Sequence, residues 1–319
     1  MTVTFRVATP DDAAAVLAVT QAAFGMGPPL EPPSGAVSEM LDQVRADLVE
    51  DGGVVGEIDG TVVAALRTPR RGRAVWLRRV AVTPTLWRHS VGSRLVAWTH
   101  AHLAQHSDLH ELRVGVRTAR PGARRFWEEL GYTPSTQHDY WQELRRDPAY
   151  AGVVATAADM RAIGSRLAAL LQAGDLVVCI GGLGAGKTTF AQGVGAGLGV
   201  AGAVTSPTFV LARQHRPAAT GRGLPFVHVD TYRLGAVADP LGELDSLDLD
   251  TGLEEAVTLV EWGEGLVEQL ARNRVEVRMY ADPSTEARTI VVDVLGPRWA
   301  GVDLRATLAD AAPVTSRVH

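Results

Sequence analysis

A chain that runs Gly181-Gly182-Leu183-Gly184-Ala185-Gly186-Lys187-Thr188 straight after the apolar stretch Leu176-Val177-Val178-Cys179-Ile180 has few folds open to it. Glycine, four residues and Gly-Lys-Thr is the pattern of a phosphate-binding loop. It works only where a strand leads in and a helix leads out, so that backbone N–H groups at the helix start face an anion. Composition sharpens this reading. Lys187 is the only lysine in 319 residues, and every other Lys or Arg position is arginine. A compact, flexible ammonium has been kept where a planar guanidinium would not serve the β- and γ-phosphates as well.

Length predicts two domains, each large enough to bury a core of its own. The first 150 residues carry 17 basic and 17 acidic side chains and the remainder 14 and 19, so neither half looks like a direct nucleic-acid binder on charge. The single cysteine, Cys179, lies in an apolar run and reads as a small buried hydrophobe in a reducing compartment. Residues 1–25 show no basic start followed by an apolar block, and no apolar run approaches a membrane span. A soluble, cytoplasmic protein without a membrane role is expected.

The polar stretch Leu144 to Gly152, broken by Pro148 and Gly152, marks the boundary, giving expected domains of 1–148 and 152–319. Thr156 followed by Asp159 resembles a capping box, and the spacing of Ile163, Leu167 and Leu170 continues the helix. Leu176–Ile180 suits a strand covered on both faces of a parallel sheet, and Lys187–Leu198 reads as the helix after the loop. Gly193, Gly195 and Gly197 weaken that helix by about 1 kcal/mol each, which close packing against the sheet would explain. Further strands are expected at Phe209–Gln214, Phe226–Asp230, Ala256–Trp262, Val275–Tyr280 and Thr289–Leu295, and one short helical stretch after Gly301. The whole reads as an α/β nucleotide-binding domain.

Nucleotide chemistry needs more than the loop. Thr188 offers a hydroxyl to Mg²⁺, which prefers hard oxygen ligands and keeps several waters. Two apolar runs end in an acid, Phe226-Val227-His228-Val229-Asp230 and Val257-Thr258-Leu259-Val260-Glu261, and each places a carboxylate where a metal or its waters could sit. A GTP-binding domain of the common type is excluded, because its Asn-Lys-x-Asp element needs a second lysine. No Leu-Ser-Gly-Gly-Gln signature occurs, which argues against a transporter-type ATPase.

Four blocks in order, Gly181 to Phe190, Val204-Thr205-Ser206-Pro207-Thr208-Phe209, His228-Val229-Asp230-Thr231-Tyr232-Arg233-Leu234 and Val260-Glu261-Trp262, resemble the TsaE (YjeE) family. The resemblance implies an ATPase needed to make threonylcarbamoyladenosine (t6A) beside the tRNA anticodon. Such a protein acts with TsaB and TsaD, meets tRNA through that complex, and does not itself transfer the threonylcarbamoyl group. Carried over by motif position, Gly184, Ala185, Gly186, Lys187, Thr188 and Thr189 hold the ATP phosphates. Thr188 and Glu261 hold Mg²⁺, Asp230 stands beside the metal or the attacking water, and Trp262 lies near the nucleotide. The catalytic set is then Lys187, Asp230 and Glu261, and ATP and Mg²⁺ are the cofactors. For Trp262 alone, core packing is the other reading. Ser206, Pro207 and Thr208 read as a turn entering a strand or as a segment sensing the γ-phosphate. Two positions depart from the family pattern: Gly182 stands where aspartate is common, and Met160 where a threonine faces the nucleotide. Arg288 reads as an exposed strand arginine, with a phosphate or base contact from a late strand as the other reading.

The first half begins with a strand turning into a helix over Phe5 to Asp12, with Thr9 or Asp11 free to cap it. An Asp59-Gly60 hairpin turn, a strand over Val75–Val82 and a helix over Val91–Leu103 follow. With Arg78 to Pro84 and Ala123 to Tyr132, this order resembles the GNAT acetyltransferase superfamily over residues 1 to 145. The resemblance implies a coenzyme A pyrophosphate held at the start of the helix by Arg88, His89, Val91, Gly92 and Ser93, and acetyl-CoA as a further cofactor. Of the pyrophosphate pattern only Gly92 is fully kept, with Trp87 and Ser90 replacing a basic residue and a glycine. Trp127 takes the place of the tyrosine acid, and an indole gives up no proton at a useful pKa. No glutamate lies on Val75–Val82. Acetyl transfer to a protein or small-amine acceptor, RimI-like by analogy, and a degenerate GNAT scaffold therefore both stand. His100, His102, His106 and His110 read as solvated positions, and Pro28 to Pro33 as a stiff loop.

Two rivals to an ATPase remain. One is a nucleotide-dependent assembly module. The other is a small-molecule kinase with Arg213, Arg216 and Arg222 in a lid.

Overall fold

The computed structural model describes residues 3–87, 89–106, 108–207, 211–232, 254–263, 271, 273–281, 285 and 287–309. The chain forms two compact units, Met1–Pro148 and Ala149–His319. No helix among the described residues is long and apolar enough to cross a membrane.

In the first unit, strands β1 (Thr4–Val7), β2 (Gly53–Ile58) and β3 (Thr61–Arg67) form an antiparallel sheet completed by β6 (Arg78–Val82). The β2–β3 turn is the Asp-Gly pair, with Asp59 at φ 49° and Gly60 at φ 76°, the left-handed pair that a two-residue hairpin requires. Helices α1 (Ala13–Gly25) and α2 (Leu41–Glu50) bury Val16, Val44 and Leu48 against Val55 and Ala65. A second sheet runs β4 (Arg70–Arg71), β5 (Ala74–Trp76), β7 (Glu111–Arg117), β9 (Trp141–Arg146), β8 (Thr133–Gln137). Helices α3 (Val91–Leu103) and α4 (Pro121–Glu129) complete the unit.

The single strand expected over Val75–Val82 is two. Up to Trp76 it pairs in parallel with β7, and from Arg78 it pairs with β3 in the other sheet. Leu77 is the crossing point, its N–H still donating to Arg113 at 2.8 Å, and Arg79 two residues on is left-handed at φ 54°. Beyond Leu77, β6 and β7 no longer pair, so the two sheets part there. The histidines also differ from expectation. His100 is fully buried, its Nε2 2.9 Å from the Tyr132 hydroxyl, and His102 stacks on Trp98 with ring centroids 5.3 Å apart. Because α3 ends at Leu103, His106 and His110 leave its face. An imidazole three residues ahead of a helix end is as easily core as surface, and the tyrosine hydroxyl supplies the partner burial demands.

The second unit is a seven-stranded sheet in the order β10 (Tyr150–Val154), β16 (Arg288–Leu295), β15 (Arg274–Ala281), β11 (Leu176–Gly181), β14 (Val257–Glu261), β13 (Phe226–Asp230), β12 (Ala212–His215). The four central strands β15, β11, β14 and β13 are parallel, and the near-continuous apolar runs of β11 and β14 suit burial on both faces, whereas β15 alternates charged and apolar residues. Helices α5 (Ala157–Ala168), α6 (Lys187–Leu198) and α7 (Leu304–Leu308) are attached to it. At the start of α5 the Thr156 hydroxyl accepts from the Asp159 N–H at 3.1 Å, and the Asp159 carboxylate accepts from the Thr156 N–H at 3.0 Å. The capping box therefore closes with aspartate in the third place.

Three differences are informative. The stretch around Pro148 holds β10, an edge strand paired antiparallel with β16, so the boundary is tighter than a polar linker. The strand expected at Phe209–Gln214 is Ala212–His215, with Phe209 and Val210 outside the described residues. The glycines of α6 serve a helix more than the sheet. A Cβ on Gly164 of α5 would lie 2.5 Å from the Phe190 carbonyl, one on Gly197 would lie 2.5 Å from the Ser165 carbonyl, and Gly193 is set against the Arg161 backbone. Only Gly195 faces sheet-side groups, with the Val204 side chain 2.6 Å and the Phe226 ring 3.7 Å from its Cβ position. The two helix backbones touch where side chains would hold them apart.

Candidate functional site

The site is assembled where β11 hands over to α6. Gly184 at φ 74° and Gly186 at φ 105° turn the loop through conformations that side chains resist, and nothing lies within 4 Å of a Cβ at Gly182 or Gly184. The loop is an open backbone cradle. Gly186 is the residue before α6, so the first N–H groups of that helix have no partner within it. Ala185 is buried, Thr189 is half-buried, and Met160 packs 3.1 Å from the Cβ position of Gly186.

Lys187 is buried at 5 % exposure and satisfied by the protein itself. Its Nζ donates to the Gly181 and Gly182 carbonyls, both at 2.9 Å, and sits 3.5 Å from the ring centre of Trp262. Burial pushes the ammonium below the ordinary lysine range, against the opposing pull of Glu261, Cys179 and Asp230. Trp262 is thus neither core filler nor free. It is left-handed at φ 64°, its N–H held by the Cys179 carbonyl at 3.1 Å and its ring 5.1 Å from that of Tyr232.

The two acids meet because β13 and β14 run side by side in register, Asp230 opposite Glu261, with Cys179 of β11 on the far side of Glu261. The Thr188 hydroxyl donates to Glu261, 2.9 Å from Oε1 and 3.2 Å from Oε2. Asp230 accepts from the Ser206 hydroxyl at 3.0 Å and from the Tyr232 N–H at 3.0 Å. Both carboxylates are buried, at 3 % exposure each. Lys187, Thr188, Asp230, Glu261 and Trp262, far apart in sequence, therefore share one place. Thr208, Arg233 and Leu234 lie outside the described residues.

Two further residues join the site, Arg288 on the less favoured of its two sequence readings and His228 beyond expectation. Arg288 is no bystander: its Nε and one terminal nitrogen donate to the Gly184 carbonyl at 3.3 and 3.2 Å. His228 is fully buried with Nε2 2.8 Å from Glu261 Oε1. A histidine two residues before Asp230 on a buried strand shares that acid's face, which is the signal that could have found it. Cys179 is fully buried and its thiol is pushed well up by that burial, an inert small hydrophobe as expected.

The donor set fits a magnesium nucleotide. One hydroxyl and two carboxylates beside an anion cradle are hard oxygen ligands. Among the described residues no three His, Cys, Asp or Glu side chains gather as a closed cage. Mg²⁺ in such sites takes its remaining ligands from phosphate and water. The proposed kinase lid loses two of its arginines to structure. Arg222 donates to the Ala168 and Leu171 carbonyls at the end of α5, and Arg213 to the Thr205 hydroxyl.

In the first unit, Ser90 takes the left-handed conformation at φ 56° immediately before α3. The backbone of the replaced glycine is therefore kept. His89 Nδ1 lies 3.0 Å from the Trp87 carbonyl, the Trp87 indole donates to Val82 at 2.8 Å, and Ser93 approaches the Ser90 carbonyl at 3.5 Å. Val91 is buried and Gly92 packs toward Val82 and Phe126, while Arg88 lies outside the described residues. Trp127 is buried at 6 % exposure, its ring 5.0 Å from that of Tyr132, with no acid's role open to it.

A parallel sheet, a glycine cradle entering a helix, and two acids at neighbouring strand ends define a phosphate-loop nucleotide-binding protein, carried behind a separate α/β unit. Residues 154–290 match the family model described as threonylcarbamoyl adenosine biosynthesis protein TsaE, and residues 28–132 match that of the acetyltransferase (GNAT) family. Over 148 residues the chain is 53 % identical to the tRNA threonylcarbamoyladenosine biosynthesis protein TsaE of Streptomyces coelicolor, covering 46 % of this chain and 97 % of that protein. The TsaE protein of Bacillus subtilis is 34 % identical over 141 residues, 44 % of this chain and 83 % of its own. A crystal structure of the PaiA N-acetyltransferase from Thermoplasma acidophilum in complex with coenzyme A aligns at 12 % identity and a TM-score of 0.42, over 46 % of this chain and 99 % of that one. The chain belongs to the TsaE family through its second unit, with a GNAT-type unit ahead of it.

Proposed function

We propose that the second unit is an ATPase of tRNA threonylcarbamoyladenosine biosynthesis, acting in a complex with proteins of the TsaB and TsaD kind. The observation that carries the reading is the meeting of Thr188 with Glu261, and of Asp230 with Glu261, beside the Lys187 cradle. Relatives named for that biosynthesis support the process. The loop N–H groups and Lys187 would bind the phosphates, the ammonium exchanging its two carbonyl partners for phosphate oxygens. Thr188 and Glu261 would hold Mg²⁺, which supplies charge neutralisation across the β- and γ-phosphates. Asp230, whose carboxylate accepts from Ser206 and Tyr232, would orient a water and take its proton. Trp262 would border the nucleotide, and Arg288 ties the loop at Gly184.

Glu261→Gln keeps the shape and weakens the metal. It should cut ATP hydrolysis by on the order of 100-fold or more while nucleotide binding in EDTA stays unchanged. An unaffected hydrolysis rate would sink this assignment, and normal t6A formation by the same variant would favour a module that only assembles on ATP.

For the first unit we infer acetyl-CoA binding at the start of α3, by the N–H groups following Ser90 with His89, Val91, Gly92 and Ser93 alongside, in a cytoplasmic protein. A left-handed Ser90 supports it, since the loop keeps its turn at a residue that bears the strain. Trp127, standing where the resemblance puts the tyrosine acid, is buried and offers an indole that cannot protonate a departing thiolate. Titration with acetyl-CoA should therefore show binding, and turnover with a peptide or small-amine acceptor should be slow. No binding at millimolar cofactor would leave only the scaffold.

A further inference from the structure

We propose that His228 is a positioning residue for Glu261, an imidazole walled into the sheet whose one task is to hold the metal-side carboxylate in place. The proposal rests on the ATP and magnesium reading of this site.

The geometry is one-sided. His228 is 0 % exposed, and Nε2 lies 2.8 Å from Glu261 Oε1. A carboxylate oxygen offers only lone pairs, so Nε2 carries the proton of this contact and donates it. Nδ1 is buried and has no hydrogen-bond partner among the described residues. A core that only needed filling would take leucine or phenylalanine here and strand no polar atom. The imidazole is kept for the Nε2 contact.

Its ring plane is set by stacking. Residues 226 and 228 share a strand face, and His215 of β12 pairs with Phe226. The rings form a column: His215 to Phe226 at 5.8 Å and 26°, Phe226 to His228 at 5.9 Å and 20°. The column aims Nε2 along the sheet at Glu261.

The carboxylate has two donors with different duties. Thr188 donates at 2.9 Å to the same Oε1 but is itself the hydroxyl expected on the metal. His228 has no other partner on its ring nitrogens among the described residues, so it is the fixed support while Thr188 serves the metal. Outer partners of this kind orient a ligand oxygen without touching the ion.

The experiment is equilibrium binding of a fluorescent ATP analogue by the full chain, in EDTA and across a magnesium titration, with thermal melts of each protein. His228→Leu should raise the magnesium concentration for half-maximal tightening by about 10-fold, leaving EDTA binding within about twofold. His228→Gln, whose amide nitrogen falls near the place of Nε2, should come back to within about threefold of the parent. The idea is overturned if His228→Leu keeps the parent's magnesium dependence, if EDTA binding weakens in the same proportion, or if glutamine rescues nothing. Should the leucine variant not fold, His228→Asn replaces it, its amide too short to reach Glu261. A parent protein indifferent to magnesium would instead defeat the function proposed above, a separate result.

Discussion

Lys187 shows how one side chain can be both necessary and unfavourable. Its ammonium is stripped of water and given two carbonyls and an indole face, and its depressed pKa says that these do not fully compensate burial. The sign follows. Below the folded value both states are charged and the folded protein bears the penalty. As pH rises toward the ordinary lysine range near ~10.4 the penalty lifts, so this group's contribution to unliganded stability grows with pH. Lys187→Met should melt no lower than the parent at pH 7 without nucleotide, with the gap closing toward pH ~10.4, yet lose ATP affinity on the order of 100-fold. A variant that melts well below the parent at pH 7 would show that the two carbonyl bonds outweigh desolvation. The loop residues were legible because covalent neighbours carry the motif. Asp230 and Glu261 were legible as acids closing apolar runs. For His228 and Arg288 position was a hint but the partners were not legible, since Glu261 and Gly184 are brought to them by strand pairing and loop closure that no local pattern encodes.

Helices α5 and α6 make the element-scale point. Read along the chain, three glycines in α6 look like weakness of about 1 kcal/mol each. In the fold, Gly193 and Gly197, with Gly164 opposite, let two backbones meet, and a methyl group has nowhere to go. Gly193→Ala should therefore destabilise by about 1–3 kcal/mol despite its better helix propensity, read as a lower denaturant midpoint at unchanged slope. If the substitution stabilises instead, the close approach is not what holds this pair. Strands β11, β13 and β14 were readable because burial on both faces leaves an unbroken apolar run. Strand β10 was hidden: Tyr150–Val154 is a short edge piece with a glycine at its centre beside Pro148, and only its pairing with β16 makes it a strand. The break at Leu77 was equally silent, because both halves of the run are β-prone and the choice of partner lies with β3 and β7.

For the whole molecule, the relative from Streptomyces coelicolor is matched over 97 % of its length by 46 % of this chain, so what is one unit here is nearly an entire protein there. The segment 149–319 expressed alone should fold with a cooperative melt and bind ATP within about threefold of the full chain, the margin within which separately folding domains act independently. A fragment that aggregates or binds far more weakly would show that Met1–Pro148 supports the nucleotide site. Joining the two units in one polypeptide carries a consequence beyond either fold. Ribosomes must deliver them one for one, so a cell making this protein cannot raise its TsaE-type unit without raising its GNAT-type unit by the same number of copies.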